Sequence, residues 1–253
     1  MKRFKYLFLS GVSALALLTT VMGTAATETT PHLELWGTRV SPFVRKDMNV
    51  LEYKKLPYQH HEILPKALSD AKKQSLPSQF QSPLGKIPVL TAGASQVPDS
   101  AVIAAYLEKI DPSNNVYPTD PEDFWKAFWL EKYSDTVMTD VSGKIFYERV
   151  VKPIVLEEES NEELVNHLVN EELPKVLTYL DQWLSENSTP YLVGEELTIA
   201  DFAVIHHLIN LDISEVEWKT GQYNTLEKYY QKMLKEKIIL KSLPEFFLDK
   251  LAQ

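Results

Sequence analysis

The chain has 253 residues, 44% of them hydrophobic and 11% aromatic, with 35 acidic against 26 basic side chains. That is enough chain for one or two domains with a proper core, and the balance of −9 excludes the clustered Lys and Arg of a phosphate-binding surface, so no nucleic-acid partner is expected. The absence of cysteine excludes disulfide frameworks, thiolate metal sites, iron–sulfur clusters and a cysteine nucleophile, so any thiol chemistry must use a thiol that arrives with a ligand.

Lys2, Arg3 and Lys5 give a positive start, the uncharged run Tyr6 to Met22 follows, and Gly23-Thr24-Ala25-Ala26 supplies small residues for a signal peptidase. A cleaved export signal over residues 1–26 is expected, with an uncleaved membrane anchor as the alternative. Cleavage after Ala26 takes 26 of the 253 residues and leaves 227. It also takes three positive charges, so the balance moves from −9 to −12. The mature chain is then an acidic exported protein, periplasmic or secreted, with no membrane contact.

Strand patterns occur early, at His32 to Trp36, Tyr58 to Ile63 and Ile87 to Leu90. A helix is predicted over Pro42 to Tyr53, and another over Ser100 to Ile110 with Ile103, Tyr106, Leu107 and Ile110 on one face. Asp111 to Pro118 is a breaker cluster, which puts a linker at 112–120 between a small α/β domain (31–111) and an all-α domain (121–251). In the second domain Phe124, Trp125, Phe128 and Trp129 open one helix, Leu173 to Leu184 forms another, and Leu226 to Leu240 reads as a late helix.

Three short elements carry chemistry. Ser41-Pro42 fits a helix N-cap with proline at the first helical position, where free N–H groups and the helix dipole favour an anion. A thiolate held there would be stabilised relative to its thiol, although on local sequence alone simple capping by Ser41 is the plainer reading. In Gly85-Lys86-Ile87-Pro88-Val89-Leu90 a proline opens a strand, which suits a sheet edge and is open to a cis peptide bond. An ordinary turn fits equally well, whereas a cis bond would leave the Ile87 backbone free to pair with an extended peptide. Asp99-Ser100 at a helix start would hold the ammonium and carboxylate of an amino-acid end, or merely cap the helix. His60-His61 and His206-His207 cannot each chelate one ion alone, and no metal is expected. Glu157 to Glu159 with Glu162-Glu163 reads as a solvated loop and helix start.

The order and spacing of these elements, together with Tyr191-Leu-Val-Gly-Glu-Glu-Leu-Thr-Ile-Ala-Asp-Phe202, resemble the soluble glutathione transferase superfamily from about His32 to Leu251. The resemblance implies a thioredoxin-like domain followed by a helical bundle, a homodimer, and glutathione as co-substrate with no further cofactor. It places Ser41 at the glutathione sulfur, Ile87 before a cis Pro88 at the cysteinyl backbone, Asp99 and Ser100 at the γ-glutamyl end, and Lys86 and Lys73 near the glycyl carboxylate. Phe43, Trp129 and Tyr133 would meet the second, hydrophobic electrophilic substrate, with a core role equally open to the last two. Thr198 and Asp201 would form a buried capping box. The implied activity is detoxifying conjugation of the glutathione thiol to a small electrophile, or glutathione-dependent peroxide reduction. The alternative is a non-catalytic glutathione- or ligand-binding protein on the same fold. Three departures stand out: Trp36 to Leu51 holds no tyrosine, no cysteine occupies position 41, and Asp99 replaces the commoner glutamate.

Overall fold

The computed structural model describes residues 31–187 and 189–252. The predicted export segment lies outside the described residues. Among these residues no helix is long and apolar enough to cross a membrane.

Strand β1 (Leu33–Trp36) leads into α1 (Pro42–Tyr53), then β2 (Tyr58–His61), α2 (Lys66–Ala71), β3 (Val89–Ala92), β4 (Ser95–Pro98) and α3 (Ser100–Ile110). The four strands order as β2-β1-β3-β4, with β1 parallel to β2 and antiparallel to β3. This is the thioredoxin-like arrangement expected of the first half. Alternation in β1 sends Leu33 and Leu35 into the core. Trp36, on the other face, stacks on His61 with ring centroids 3.8 Å apart and donates from its indole N–H to the Thr91 hydroxyl at 2.9 Å.

The second half is helical. Helix α4 (Pro121–Tyr133) continues through a wide-turned π segment (Ser134–Gly143), a single α turn, α5 (Lys144–Phe146), and a second π segment (Tyr147–Leu156). The remaining elements are α6 (Glu162–His167), a π segment (Leu168–Glu172), α7 (Leu173–Asn187), α8 (Ile199–Ile213), α9 (Asn224–Met233), α10 (Lys237–Ser242) and α11 (Glu245–Leu251). Helix α8 is buried without a break from Ile199 to Leu211, as a helix apolar on nearly every side must be.

The late helix predicted as one piece over Leu226 to Leu240 is two. Helix α9 ends in i→i+3 turns at Lys235 and Glu236 before α10 begins. No glycine or proline marks this break. Two elements of the first half went unread. Helix α2 has only six residues, and β4 offers a single buried apolar residue, Val97.

Asp201 fixes the start of α8. Its carboxylate accepts from the Thr198 N–H (2.9 Å), the Thr198 hydroxyl (3.2 Å), the Leu192 N–H (3.0 Å) and the Tyr229 hydroxyl (2.9 Å). The capping box predicted at Thr198 and Asp201 is present, and its acid also ties the preceding loop and α9 to α8. Burial pushes this carboxyl up to about 6 against the pull of those donors.

Candidate functional site

The sheet register brings the three chemistry-bearing segments to one end. Trp36 pairs with Val89, and Val89 with Pro98. The loop after β1, the Ile87–Pro88 bond before β3 and the Asp99-Ser100 start of α3 therefore converge. Gly37 makes this approach possible. Its φ is +148°, and a Cβ there would lie 2.5 Å from the Val44 side chain and 3.1 Å from that of Ile87. Gly37→Ala should therefore push the loop off both neighbours and destabilise the fold by roughly 1–3 kcal/mol, read as a lower urea midpoint.

Ser41 stands at the N-cap of α1 in extended backbone, with Pro42 behind it, and its side chain makes no capping hydrogen bond. Its N–H donates to the Thr38 carbonyl and its own carbonyl accepts from the Arg45 N–H, so the backbone is held while the hydroxyl has no partner among the described residues. The first turn of α1 carries no acidic residue. The open N–H groups and the dipole thus remain available to an anion. Ser41 thus holds the N-cap position with its side chain uncommitted to the cap.

The Ile87–Pro88 peptide is cis, and Ile87 makes no ladder pairing, since β3 begins at Val89. Asp99 sits at φ +73° and caps α3 through Oδ1, which accepts from Ala101 (3.0 Å) and Val102 (3.3 Å). Capping uses one oxygen and leaves Oδ2 unengaged among the described residues, so the cap and the ligand reading of Asp99 are compatible. Ser100 is buried in the first turn of α3. Lys86 and Lys73 are exposed. Lys73 follows α2, where its neighbour Lys72 bridges to Glu157 of the helical half at 2.9 Å. A cleft of about 450 Å³ runs from Thr38 to Ser69 and the Gln74–Pro77 segment.

The predicted second-substrate residues separate. Phe43 lies edge-on to His207 of α8 at 5.8 Å, and His207 is in turn 2.9 Å from the Ser142 hydroxyl. Trp129 and Tyr133 instead join the aromatics of α7. The Trp129 indole N–H donates to the Tyr179 hydroxyl at 2.5 Å, and Tyr133 packs 4.6 Å from the Tyr179 ring. Tyr133 is buried there, whereas Trp129 stays half-exposed. Among the described residues no cluster of metal-ligating side chains forms.

A buried polar layer under the loop was missed in the sequence. Val44 to Leu51 of α1 are all buried, Arg45, Lys46, Asp47 and Asn49 included. The Arg45 guanidinium donates to Arg39 O (3.1 Å), Val40 O (3.3 Å), His206 Nδ1 (3.2 Å), His206 O (3.0 Å) and Asn210 Oδ1 (2.5 Å). His206 passes the chain on, its Nε2 donating to Asn49 Oδ1 at 2.6 Å. Burial and the Arg45 charge hold this histidine well below its ordinary value, hence neutral. Lys46 meets Glu131 at 2.9 Å and Asp135 at 3.3 Å. Burial alone would lower it, but those carboxylates outweigh burial and keep it charged.

Asp47 is the odd member. It is fully buried, and neither of its oxygens has a hydrogen-bond partner. Burial drives its carboxyl well above the usual range, Lys46 pulls the other way, and Glu131, Asp99 and Asp135 push it further up. A carboxyl raised in the fold contributes stability below the unfolded value near 4 and loses it as pH climbs. Asp47→Asn should therefore raise the urea midpoint at pH 8, by roughly 1–2 kcal/mol in stability, and leave it little changed at pH 4.

Comparison with known proteins agrees with this geometry. The family model described as "Glutathione S-transferase, N-terminal domain" matches residues 35–115, and "Glutathione S-transferase, C-terminal domain" matches 146–243. The chain is 29% identical over 196 residues to "Glutathione S-transferase DHAR2" of Arabidopsis thaliana, covering 76% of this chain and 78% of that protein. It is 24% identical over 209 residues to "Glutathione S-transferase omega-1" of Sus scrofa, covering 81% and 77%. Among solved structures, glutathione transferase F7 from Populus trichocarpa superposes with a TM-score of 0.71 at 18% identity, covering 83% of this chain and 97% of that one. With both halves matched in order and the fold shared over 83% of the chain, it belongs to the soluble glutathione S-transferase superfamily.

Proposed function

We propose that the mature chain is an exported glutathione transferase that holds the glutathione thiolate at Ser41 and adds it to a small hydrophobic electrophile. The observation that carries this reading is the Ser41 hydroxyl, free of any capping bond at an open helix start. Family membership supports chemistry of the glutathione transferase type. Ile87 would pair with the cysteinyl backbone, Asp99 Oδ2 and Ser100 would hold the γ-glutamyl end, and Lys86 and Lys73 would supply positive charge for the glycyl carboxylate. Phe43 is the predicted electrophile contact that shares the Ser41 turn. The exported chain would work as a homodimer, for which the half-exposed Phe124, Trp125, Phe128 and Trp129 of α4 supply an apolar face.

No protein base is needed. Glutathione's S–H bond breaks with its electron pair left on sulfur, the proton passes to water, and sulfur attacks the electrophile as its leaving group departs. Retention of the mature chain on immobilised glutathione, followed by turnover of an aryl halide, tests the reading. Binding with turnover is expected. Binding without turnover would favour a ligand-binding role, and no binding would end the enzyme reading.

A further inference from the structure

Behind the Ser41 loop lies a buried cation with no counter-ion among the described residues. Arg45 is fully buried, and its N–H groups all end on neutral acceptors. The adjacent Lys46 shows the contrast, because two carboxylates answer its charge. The groups facing Arg45 from the packed elements are neutral: His206 and His207 of α8 are both held uncharged, and Tyr230 of α9 has its hydroxyl committed to Asp212 at 2.7 Å. Burial pulls the guanidinium down to about 9, which leaves it charged at neutral pH.

Its position matters as much as its charge. The carbonyls that receive Nη1 belong to Arg39 and Val40, the two residues leading into Ser41, while the Arg45 backbone N–H donates to Ser41 O. Arg45 thus sits one turn inside the helix start and grips the loop from the protein side. A neutral side chain with the same donors would fix the loop without the desolvation cost of an unpaired charge. An opposite charge nearby favours an ionised ligand, and low dielectric strengthens the effect.

We propose that Arg45 is a positioning residue for the sulfur site, whose uncompensated charge behind Arg39-Val40-Ser41 holds the bound glutathione thiol in its ionised form. The proposal rests on the reading of Ser41 as the sulfur ligand. Arg45 touches neither substrate and acts through the loop and its field. In the sequence Arg45 reads as one of several polar residues on α1.

The test neutralises the charge while keeping the bonds. Asn210 Oδ1 accepts from Arg45 at 2.5 Å and its amide nitrogen has no acceptor, so Asn210→Asp loses no hydrogen bond and sets a carboxylate against the guanidinium. The thiolate absorbance of the glutathione complex near ~240 nm is followed against pH. The midpoint should rise by about one pH unit in Asn210→Asp and in Arg45→Gln relative to the unsubstituted chain. Conjugation should fall about tenfold in kcat/KM at pH 6.5 and recover towards the unsubstituted value at pH 9. An unchanged midpoint in a folded Asn210→Asp protein would overturn the proposal and reduce Arg45 to a loop support. Should that variant fail to fold, the midpoint of Arg45→Gln decides on the same terms. An unsubstituted chain whose bound thiol titrates like free glutathione, or that binds none, would instead bring down the Ser41 reading and this proposal with it.

Discussion

Ser41→Ala is expected to lower conjugation about 100-fold in kcat/KM, or roughly 2.7 kcal/mol of transition-state stabilisation, while the unfolding midpoint hardly moves. The two halves of this expectation have separate grounds. Removing a donor aimed at a developing or resident negative charge costs rate, because no other side chain on the first turn of α1 replaces it. Loss of an N-cap side chain ordinarily costs about 1 kcal/mol, but the Ser41 hydroxyl makes no capping bond, so the helix loses nothing. Steady-state kinetics beside urea denaturation of the same preparations measures both. Ser41→Thr, which keeps a hydroxyl, should retain most of the rate. A Ser41→Ala protein with full conjugating activity would take Ser41 out of the reaction and leave the helix N–H groups as the only anion ligands.

Asp201→Ala carries the largest expected loss of stability, about 3–5 kcal/mol, enough to leave little soluble protein. Removing the carboxylate strands the Thr198 N–H, the Leu192 N–H and the Tyr229 hydroxyl inside the protein at once. Each buried donor without an acceptor costs its full desolvation. Asp201→Asn keeps a carbonyl oxygen for some of these donors and should fall between the two. Thermal unfolding is the measurement, and an Asp201→Ala protein within 1 kcal/mol of the unsubstituted chain would show that water enters and satisfies the orphans. Neither outcome bears on the sulfur site, which makes this variant a control for the Ser41 series.

What could be read ahead of the structure was local backbone chemistry. Ser41-Pro42, Ile87-Pro88, Asp99-Ser100 and Thr198 to Asp201 each state a cap or a turn within four residues, and each such feature is in the structure. The strands at Leu33–Trp36 and Val89–Ala92 were legible from apolar pattern, the second shifted by two residues because Pro88 cannot join the ladder. Long-range matters were not legible. Arg45, Lys46, Asp47 and Asn49 look like the wet face of an amphipathic helix, and only the packing of α8 and α10 against α1, with Glu131 of α4 on Lys46, shows that this face is dry. Trp129 and Tyr133 had the right residue types for a substrate wall, but their contact with Tyr179, fifty residues after Trp129, could not be read from the sequence. The π turns after Tyr133 leave no mark in composition. For Arg45 a faint signal existed: three consecutive charged residues, Arg45-Lys46-Asp47, sit in the middle of the helix that follows the Ser41 turn.

Helix α1 belongs by chain order to the thioredoxin-like half, yet its charged and amide side chains end on the helical half: Arg45 on His206 and Asn210, Lys46 on Glu131, Asn49 on the Ile238 carbonyl. Such a helix works as a rivet through two plates. The plates cannot swing apart as jaws to admit a substrate, because each degree of opening would pull ions and amides out of their sockets. At the rim, the Lys72–Glu157 bridge ties the same two halves from the outside. The same rivet forbids a minimal version of this protein. The first half alone would face water with a helix built for an interior, so the piece that carries Ser41 cannot be detached from the piece that does not.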